Sequence, residues 1–270
     1  MNKSRLLIGL IMAVIAIIGY YSKNQINPIT GEKQHIDMSP DQEIALGLQS
    51  APQMAQQHGG LHPDARLQQL VKSVGNKIVQ SSDAAKSPYQ FDFHVLADPQ
   101  TINAFALPGG QVFITYALLE RLFEKEDGMQ PDRLAGVLGH EVGHVIGRHS
   151  AEHLAQQQLA GGLSSAAVMA TYDPSNPTTA GSQQMAAMIS NVVLMKYGRE
   201  DELESDDFGV KYMLQAGYRP EALITVMEIL EAASGGKRQS EFMSTHPSPE
   251  NRIERINAAI QKYKSQLNAK

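Results

Sequence analysis

No cysteine occurs in this 270-residue chain, which excludes thiol catalysis, disulfide cross-links and a lipidated N-terminal cysteine. That absence leaves the redox compartment open. Strong charge of either sign is lacking too: the net charge is −5, and no basic run is long enough to suggest nucleic acid as a partner. No internal repeat is visible. Apolar runs are scarce, and those around 163–170 and 185–195 are too short to span a membrane. What remains is a chain long enough to bury a substantial core, for which one catalytic domain is the simplest count.

One apolar run stands out. Lys3 and Arg5 precede "LLIGLIMAVIAIIGYY", Leu6 to Tyr21, which carries no charge. Its 16 residues fall just short of the roughly 17–25 that a spanning helix needs, but the closing tyrosines suit a membrane interface. A cleaved secretory signal is the rival. The run ends in bulky tyrosines and shows no A-x-A-like site, which favours an uncleaved anchor. Positive charge ahead of the run places the bulk of the chain outside the cytoplasm, with Lys23 beyond it pulling the other way.

Residues 24–38, polar and containing Pro28 and Gly31, read as a tether, and residues 39–270 as the catalytic domain. Ser39-Pro40-Asp41-Gln42 starts a helix, with Ser as N-cap, Pro in the first turn and Gln three residues on. A second helix runs from Asp64 to about Gln80. "QFDFHVLAD", 90–98, alternates as a strand, and "INAFALPGGQVFITY", 102–116, reads as two short strands around Pro108-Gly109-Gly110. A helix is predicted from about Asp132 to Gln158, then an irregular loop over 159–184. Helix resumes to about Ala216, with Gly217 as C-cap. Two more helices follow Pro220 and Ser248-Pro249. The fold class is α+β, mostly α-helical, with one small β-sheet.

The predicted helix over 132–158 holds four of the nine histidines, in two pairs at one spacing: His140 with His144, and His149 with His153. On a helical wheel the first pair lies about 40° apart, while the second falls on roughly the opposite side. Only the first reads His140-Glu141-Val142-Gly143-His144, the H-E-x-x-H arrangement in which two imidazoles bind zinc and the Glu is general base. Leu134, Val137, Leu138, Val145 and Ile146 bury this helix, where unpaired imidazoles are costly, so metal ligation explains them. His149 and His153 read as polar residues on the far face, packing against a neighbouring loop.

A catalytic zinc needs a third protein ligand and one open position. The candidates lie in "GREDELESDDFG", 198–209, which by charge alone reads as a solvated face. Glu202 and Asp206 are four apart and share a face, while Leu203 and Phe208 turn part of the helix to the core. A ligand Glu with an Asp behind a ligand His is the usual arrangement. Spacing does not choose between Glu202 and Glu204.

H-E-x-x-H followed by an E-x-x-x-D helix resembles the zinc metallopeptidases of the CAAX prenyl protease and HtpX family. The resemblance implies a zincin-like domain with one zinc per chain on His140, His144 and Glu202, and Asp206 supporting a ligand histidine. "NAFALPGG", Asn103 to Gly110, is similar to the family's edge strand, on which substrate is thought to add, so Asn103, Ala104 and Phe105 are the expected substrate-binding residues. "THPSPENRIERI", Thr245 to Ile256, is similar to its H-P-x-x-x-x-R segment, matching His246 and Arg252. The four motifs lie in order between about 36 and 260. Within the family the chain is most similar to the bacterial periplasmic, β-barrel assembly-enhancing type; it ends at Lys270 without that type's C-terminal helical repeats, which puts recognition by repeats in doubt.

The implied chemistry is zinc-assisted hydrolysis of peptide bonds in misfolded or misassembled envelope proteins. Glu141 is the base, and His246 or Arg252 the donor to the tetrahedral oxyanion. An imidazole with that reach also comes within ligand distance, so His246 is expected as a fourth ligand in a closed resting state. The implied location is the inner membrane with the domain in the periplasm, or the free periplasm after signal cleavage. Partners are then polypeptide substrates and the membrane; oligomeric state is open. A membrane-anchored chaperone with little proteolysis is the chief alternative, and a zinc hydrolase of non-peptide amides a third.

Overall fold

The computed structural model describes residues 3–124, 127–128, 130–171, 197–234, 241–248 and 251–268. Contacts divide the chain into two compact units. The first comprises Met1–Asn27, Gly31–Met38 and Ser150–Met195; the second comprises Pro28–Thr30, Ser39–His149 and Lys196–Lys270.

In the first unit, α1 (Lys3–Ser22) carries the apolar run. It leaves Leu7, Leu10, Ile15 and Ile18 more than half exposed. Among the described residues no helix is long and apolar enough to cross a membrane. The stretch read as a tether contains a short ladder instead. Strands β1 (Gln25–Ile26) and β2 (Lys33–Gln34) pair antiparallel, around a turn in which Gly31 adopts φ 75° and donates to the Asn27 carbonyl at 2.9 Å. Among the described residues there are thus two small sheets rather than one; a two-residue strand is too short for alternation to reveal.

The second unit opens with α2 (Pro40–Gln57). Its capping box is the one the sequence spells: Gln42 N–H donates to Ser39 Oγ at 3.3 Å and Ser39 N–H to Gln42 Oε1 at 2.8 Å. Helix α3 (Ala65–Gln80) is capped by Asp64. Strands β3 (Asp92–Leu96), β4 (Ala104–Ala106) and β5 (Gln111–Thr115) form a sheet of order β3-β5-β4. Strand β5 is parallel to β3 and antiparallel to β4, with Phe105 opposite Phe113. The β4–β5 turn passes through Gly109 at φ 81°, where an added Cβ would lie 2.3 Å from Ile44 Cα, so only glycine fits against α2. Helix α4 (Tyr116–Phe123), unanticipated, follows.

The predicted helix over 132–158 is two helices, α5 (Gln130–Gly147) and α6 (His149–Thr171). Between them Arg148 takes φ 59°, a conformation unusual for a residue with a Cβ. Its buried guanidinium holds it there, donating from Nε to Glu43 Oε1 at 2.8 Å, while Tyr89 donates to the other oxygen of Glu43 at 3.3 Å. Nothing local in the sequence announces a break fixed by α2. Residues expected to be irregular from 159 continue as α6 to Thr171; 172–184, and the apolar stretch 185–195, lie outside the described residues. The chain closes with α7 (Arg199–Gln215), α8 (Ala222–Ser234), α9 (Glu241–Thr245) and α10 (Arg252–Asn268). The core packs Val74 and Ile78 of α3 and Ile114 of β5 against Leu138 and Val142 of α5, Val210 of α7 and Ile256 of α10. Helix α5 is therefore central, buried from Arg133 to Gly147.

Candidate active site

Helix α7 must come very close to α5 for its acidic residues to meet the histidines, and glycines permit it. A Cβ on Gly143 would lie 2.9 Å from Ser205 Cα, and one on Gly209 would lie 3.2 Å from the backbone nitrogen of His140. At this seam His140 Nε2 and His144 Nε2 stand 3.0 Å apart. Glu202 reaches both, at 3.5 Å from His140 Nε2 and 3.4 Å from His144 Nε2. His246 completes the group: one donor atom from each of His140, His144, Glu202 and His246 lies within 4.8 Å of the others, and all four residues are buried.

His246 is delivered by α9. Phe242 N–H donates to the Ile102 carbonyl at 3.2 Å, and His246 N–H to the Phe242 carbonyl at 2.7 Å. The Phe242 and His246 rings stack with centroids 4.3 Å apart. Tyr197, which sequence reasoning missed, lies flat on His144 at 3.9 Å between centroids and donates its N–H to the Thr245 carbonyl at 3.0 Å. A lone tyrosine ahead of Gly198 gives no periodic signal.

Whether these residues fit a cation is decided by what they leave unsatisfied. Both oxygens of Glu141 and Nε2 of His246 are buried without a hydrogen bond, 3.6 Å from each other at the nearest, and the buried oxygens of Glu202 meet one cation, the Arg252 guanidinium at 3.1 Å. Buried polar atoms in such numbers are rare in folded proteins unless something satisfies them. Two imidazoles facing each other through Nε2, with a carboxylate across both, are a donor set of the kind that holds zinc. The residues fit a metal.

Electrostatics agree. Burial, with Glu202 nearby, pushes Glu141 up to about 8, against the pull of His140 and the backbone amide of Ala106. Burial likewise raises Glu202, against Arg252. It lowers His144 and His246, helped by the other charges of the cluster. Asp206 goes the other way. Burial would raise it, but the Arg252 guanidinium and His140 hold it at about 2. Asp206 Oδ1 is 2.9 Å from His140 Nδ1, beside the histidine where the resemblance places it.

The structure gives the other expected residues specific contacts. Arg252 matches the motif position but donates to Asp206 from Nε at 2.7 Å and from its terminal nitrogen at 2.9 Å, and pairs with Glu202 Oε2 at 3.1 Å. Its other terminal nitrogen is buried and unpartnered. His149 does not lie on a far face. The break at Arg148 folds it back, so that its Nδ1 is 2.9 Å from His144 Nδ1; a wheel drawn for one straight helix cannot show this. In the edge strand β4, Thr115 N–H donates to the Asn103 carbonyl at 3.0 Å and Leu107 N–H to the Gln111 carbonyl at 2.8 Å. By the antiparallel alternation, Asn103, Phe105 and Leu107 turn their backbone groups toward β5, and Ala104 and Ala106 turn theirs outward. Of the three residues expected to bind substrate, Ala104 alone offers backbone groups at the open edge, with Ala106 as the partner that was missed. Asn103 also donates its side-chain amide to Glu241 of α9 at 3.0 Å.

A metal-competent His-His-Glu cluster beside a buried glutamate, on two helices next to an edge strand, defines a metallopeptidase site. Comparison with known proteins agrees: the model of peptidase family M48 matches residues 65–260, and the chain belongs to that family. Mitochondrial metalloendopeptidase OMA1 of Schizosaccharomyces pombe is 32% identical over 245 residues, 88% of this chain and 66% of that one. The β-barrel assembly-enhancing protease of Yersinia pestis is 29% identical over 257 residues, 93% of this chain and 50% of that one. Metalloprotease YcaL of Escherichia coli K12 is 30% identical over 190 residues, 68% of this chain and 65% of that one. The chain thus spans about half to two thirds of the length of these relatives.

Proposed function

We propose that this metalloprotease is a zinc endopeptidase of the cell envelope, held at the inner membrane by α1 with its domain in the periplasm, that cleaves misfolded or misassembled envelope proteins. The observation that carries the chemistry is Glu141, fully buried beside the metal-competent cluster, its Oε1 3.6 Å from His246 Nε2. A structural metal has no use for such a group, which weighs against a non-proteolytic assembly factor.

His140, His144 and Glu202 would hold the zinc, with His246 closing the resting site as a fourth donor. A zinc ion held by these residues would supply Lewis-acid chemistry, polarising the scissile carbonyl and acidifying the attacking water. Glu141 accepts a proton from the attacking water and hands it to the departing amine. The buried Nε2 of His246, once withdrawn from the closed site, is placed to donate to the tetrahedral oxyanion. A substrate strand adding to Ala104 and Ala106 gains its affinity from main-chain hydrogen bonds, which gives broad sequence tolerance. The amide of Ala106 neighbours Glu141, so that edge leads to the base. The exposed apolar face of α1 and the relatives named for β-barrel assembly and for mitochondria support the membrane and envelope reading.

The test is casein hydrolysis by the purified chain with and without a chelator, and by Glu141→Gln. Activity should need the metal, and Glu141→Gln should keep zinc while losing about 10² or more in rate. Wild-type rates in Glu141→Gln would refute the assignment.

A further inference from the structure

Beyond the ligands and the base, the site contains a chain of polar contacts on the side of His144 away from the cluster. His144 Nδ1 lies 2.9 Å from His149 Nδ1, and His149 Nε2 lies 3.0 Å from Glu204 Oε2. Ser205 Oγ is a further 3.4 Å neighbour of His149 Nδ1. We propose that Glu204 and His149 position the ligand histidine His144, as Asp206 positions His140. This rests on the metallopeptidase reading.

The proton count supports it. An imidazole that gives the Nε2 lone pair to a metal carries its one proton on Nδ1. His144 therefore donates from Nδ1, and His149 Nδ1 must be the acceptor. A neutral His149 accepting on Nδ1 has its own proton on Nε2, where it meets the acceptor-only carboxylate of Glu204. Each donor in the chain finds one acceptor, and the tautomer of His144 is fixed with Nε2 free for the metal. Such outer partners fix ring orientation and raise ligand basicity.

The backbone is arranged around this contact. Arg148 sits at φ 59°, which reverses the chain enough to tuck His149 beneath α5. A Cβ on Gly147 would lie 2.3 Å from His149 Nε2, so the ring occupies the space that glycine leaves. Strained residues of this kind gather at functional sites. His149 is 1% exposed, whereas Glu204 is about one third exposed and can be altered without opening the core. Helix α7 thus supplies one ligand and both supports: Glu202 to the cluster, Asp206 to His140 directly, and Glu204 to His144 through His149.

The experiment is a zinc titration of the full chain against a chromophoric chelator, for wild type, His149→Ala, His149→Asn and Glu204→Gln. His149→Ala should weaken zinc binding by about 10–100-fold. His149→Asn, whose Oδ1 replaces Nδ1 as acceptor, should recover most of that loss, and Glu204→Gln should show a smaller loss than His149→Ala. In the zinc-loaded protein the Nδ1 proton of His144 should give a protected NMR signal that His149→Ala abolishes; should His149→Ala fail to fold, the same signal in Glu204→Gln, exchanging faster than in wild type, decides. Affinities within twofold of wild type in both His149→Ala and Glu204→Gln would overturn the proposal, as would His149→Asn binding as weakly as His149→Ala. Wild type that takes up no zinc would refute the metallopeptidase reading and this inference with it. Wild type that binds while the variants match it would refute the inference alone.

Discussion

Arg252 and Asp206 form a two-pronged pair inside the site, with the guanidinium donating at 2.7 and 2.9 Å to the two carboxylate oxygens. The same guanidinium faces Glu202, so one cation serves two buried carboxyl groups. Removing it leaves both uncompensated, and breaking a buried pair in this way costs about 3–5 kcal/mol. Arg252→Ala should lose stability of that order in urea unfolding, and Arg252→Lys less. Unchanged stability with a reduced kcat would make Arg252 an oxyanion donor instead.

Glu202 and Glu204 are two residues apart and face different partners. Glu202→Ala removes a donor from the cluster and should lower zinc content sharply. Glu204→Ala should still reach one zinc per chain at saturating metal. Equal losses in metal analysis would overturn the assignment of Glu202 as third ligand.

The pH dependence of the metal-free protein follows from the signs of the shifts. Glu141, at about 8 in the folded chain, and Glu202, also raised, have folded pKa values above the unfolded value of about 4.3. Their contribution is fully present below that value and is lost as pH rises through the folded pKa. His144 and His246 are lowered, so theirs is complete above about 6.5 and lost on acidification. Between about 6.5 and 8 only the carboxyls act. Tm in chelator should fall across that window, and the gain in Tm on adding zinc, which favours the charged carboxylates, should grow. A metal-free Tm that rises from pH 6.5 to 8 would contradict this.

For His246 the decisive measurement is X-ray absorption at the zinc edge of the resting protein. Three nitrogen donors and one carboxylate are expected, since the His246 donor atom lies within the same 4.8 Å group as the other three. Two nitrogens would remove His246 from the resting site.

Much of the site was legible because its parts are local. His140, Glu141 and His144 on one helix, and Glu202 and Asp206 on another, are four-residue spacings that a wheel reads directly. The meeting of the two helices was not, because it depends on absent side chains at Gly143 and Gly209, which a pattern of present ones ignores. His149 was misplaced for a related reason: the wheel assumes the helix goes on, and the break is set by Glu43, 105 residues away in sequence. In β4 the resemblance found the strand but not its phase, which the pairing of Asn103 with Thr115 supplies. The long capped helices α2 and α3 are legible; the eight-residue α4 directly after β5, the two-residue ladder and the five-residue α9 are too short for periodicity to resolve.

The pairing of Arg148 with Glu43 also bears on where the working unit begins. The family match starts at residue 65, yet Glu43 lies upstream of it, 1% exposed and bonded to the arginine that precedes His149. A chain shortened to the matched region would keep every metal donor and strip away the counterion that sets the turn behind them. Helix α2 is therefore tied to the turn behind the metal donors, and a boundary drawn from family similarity alone would cut that tie.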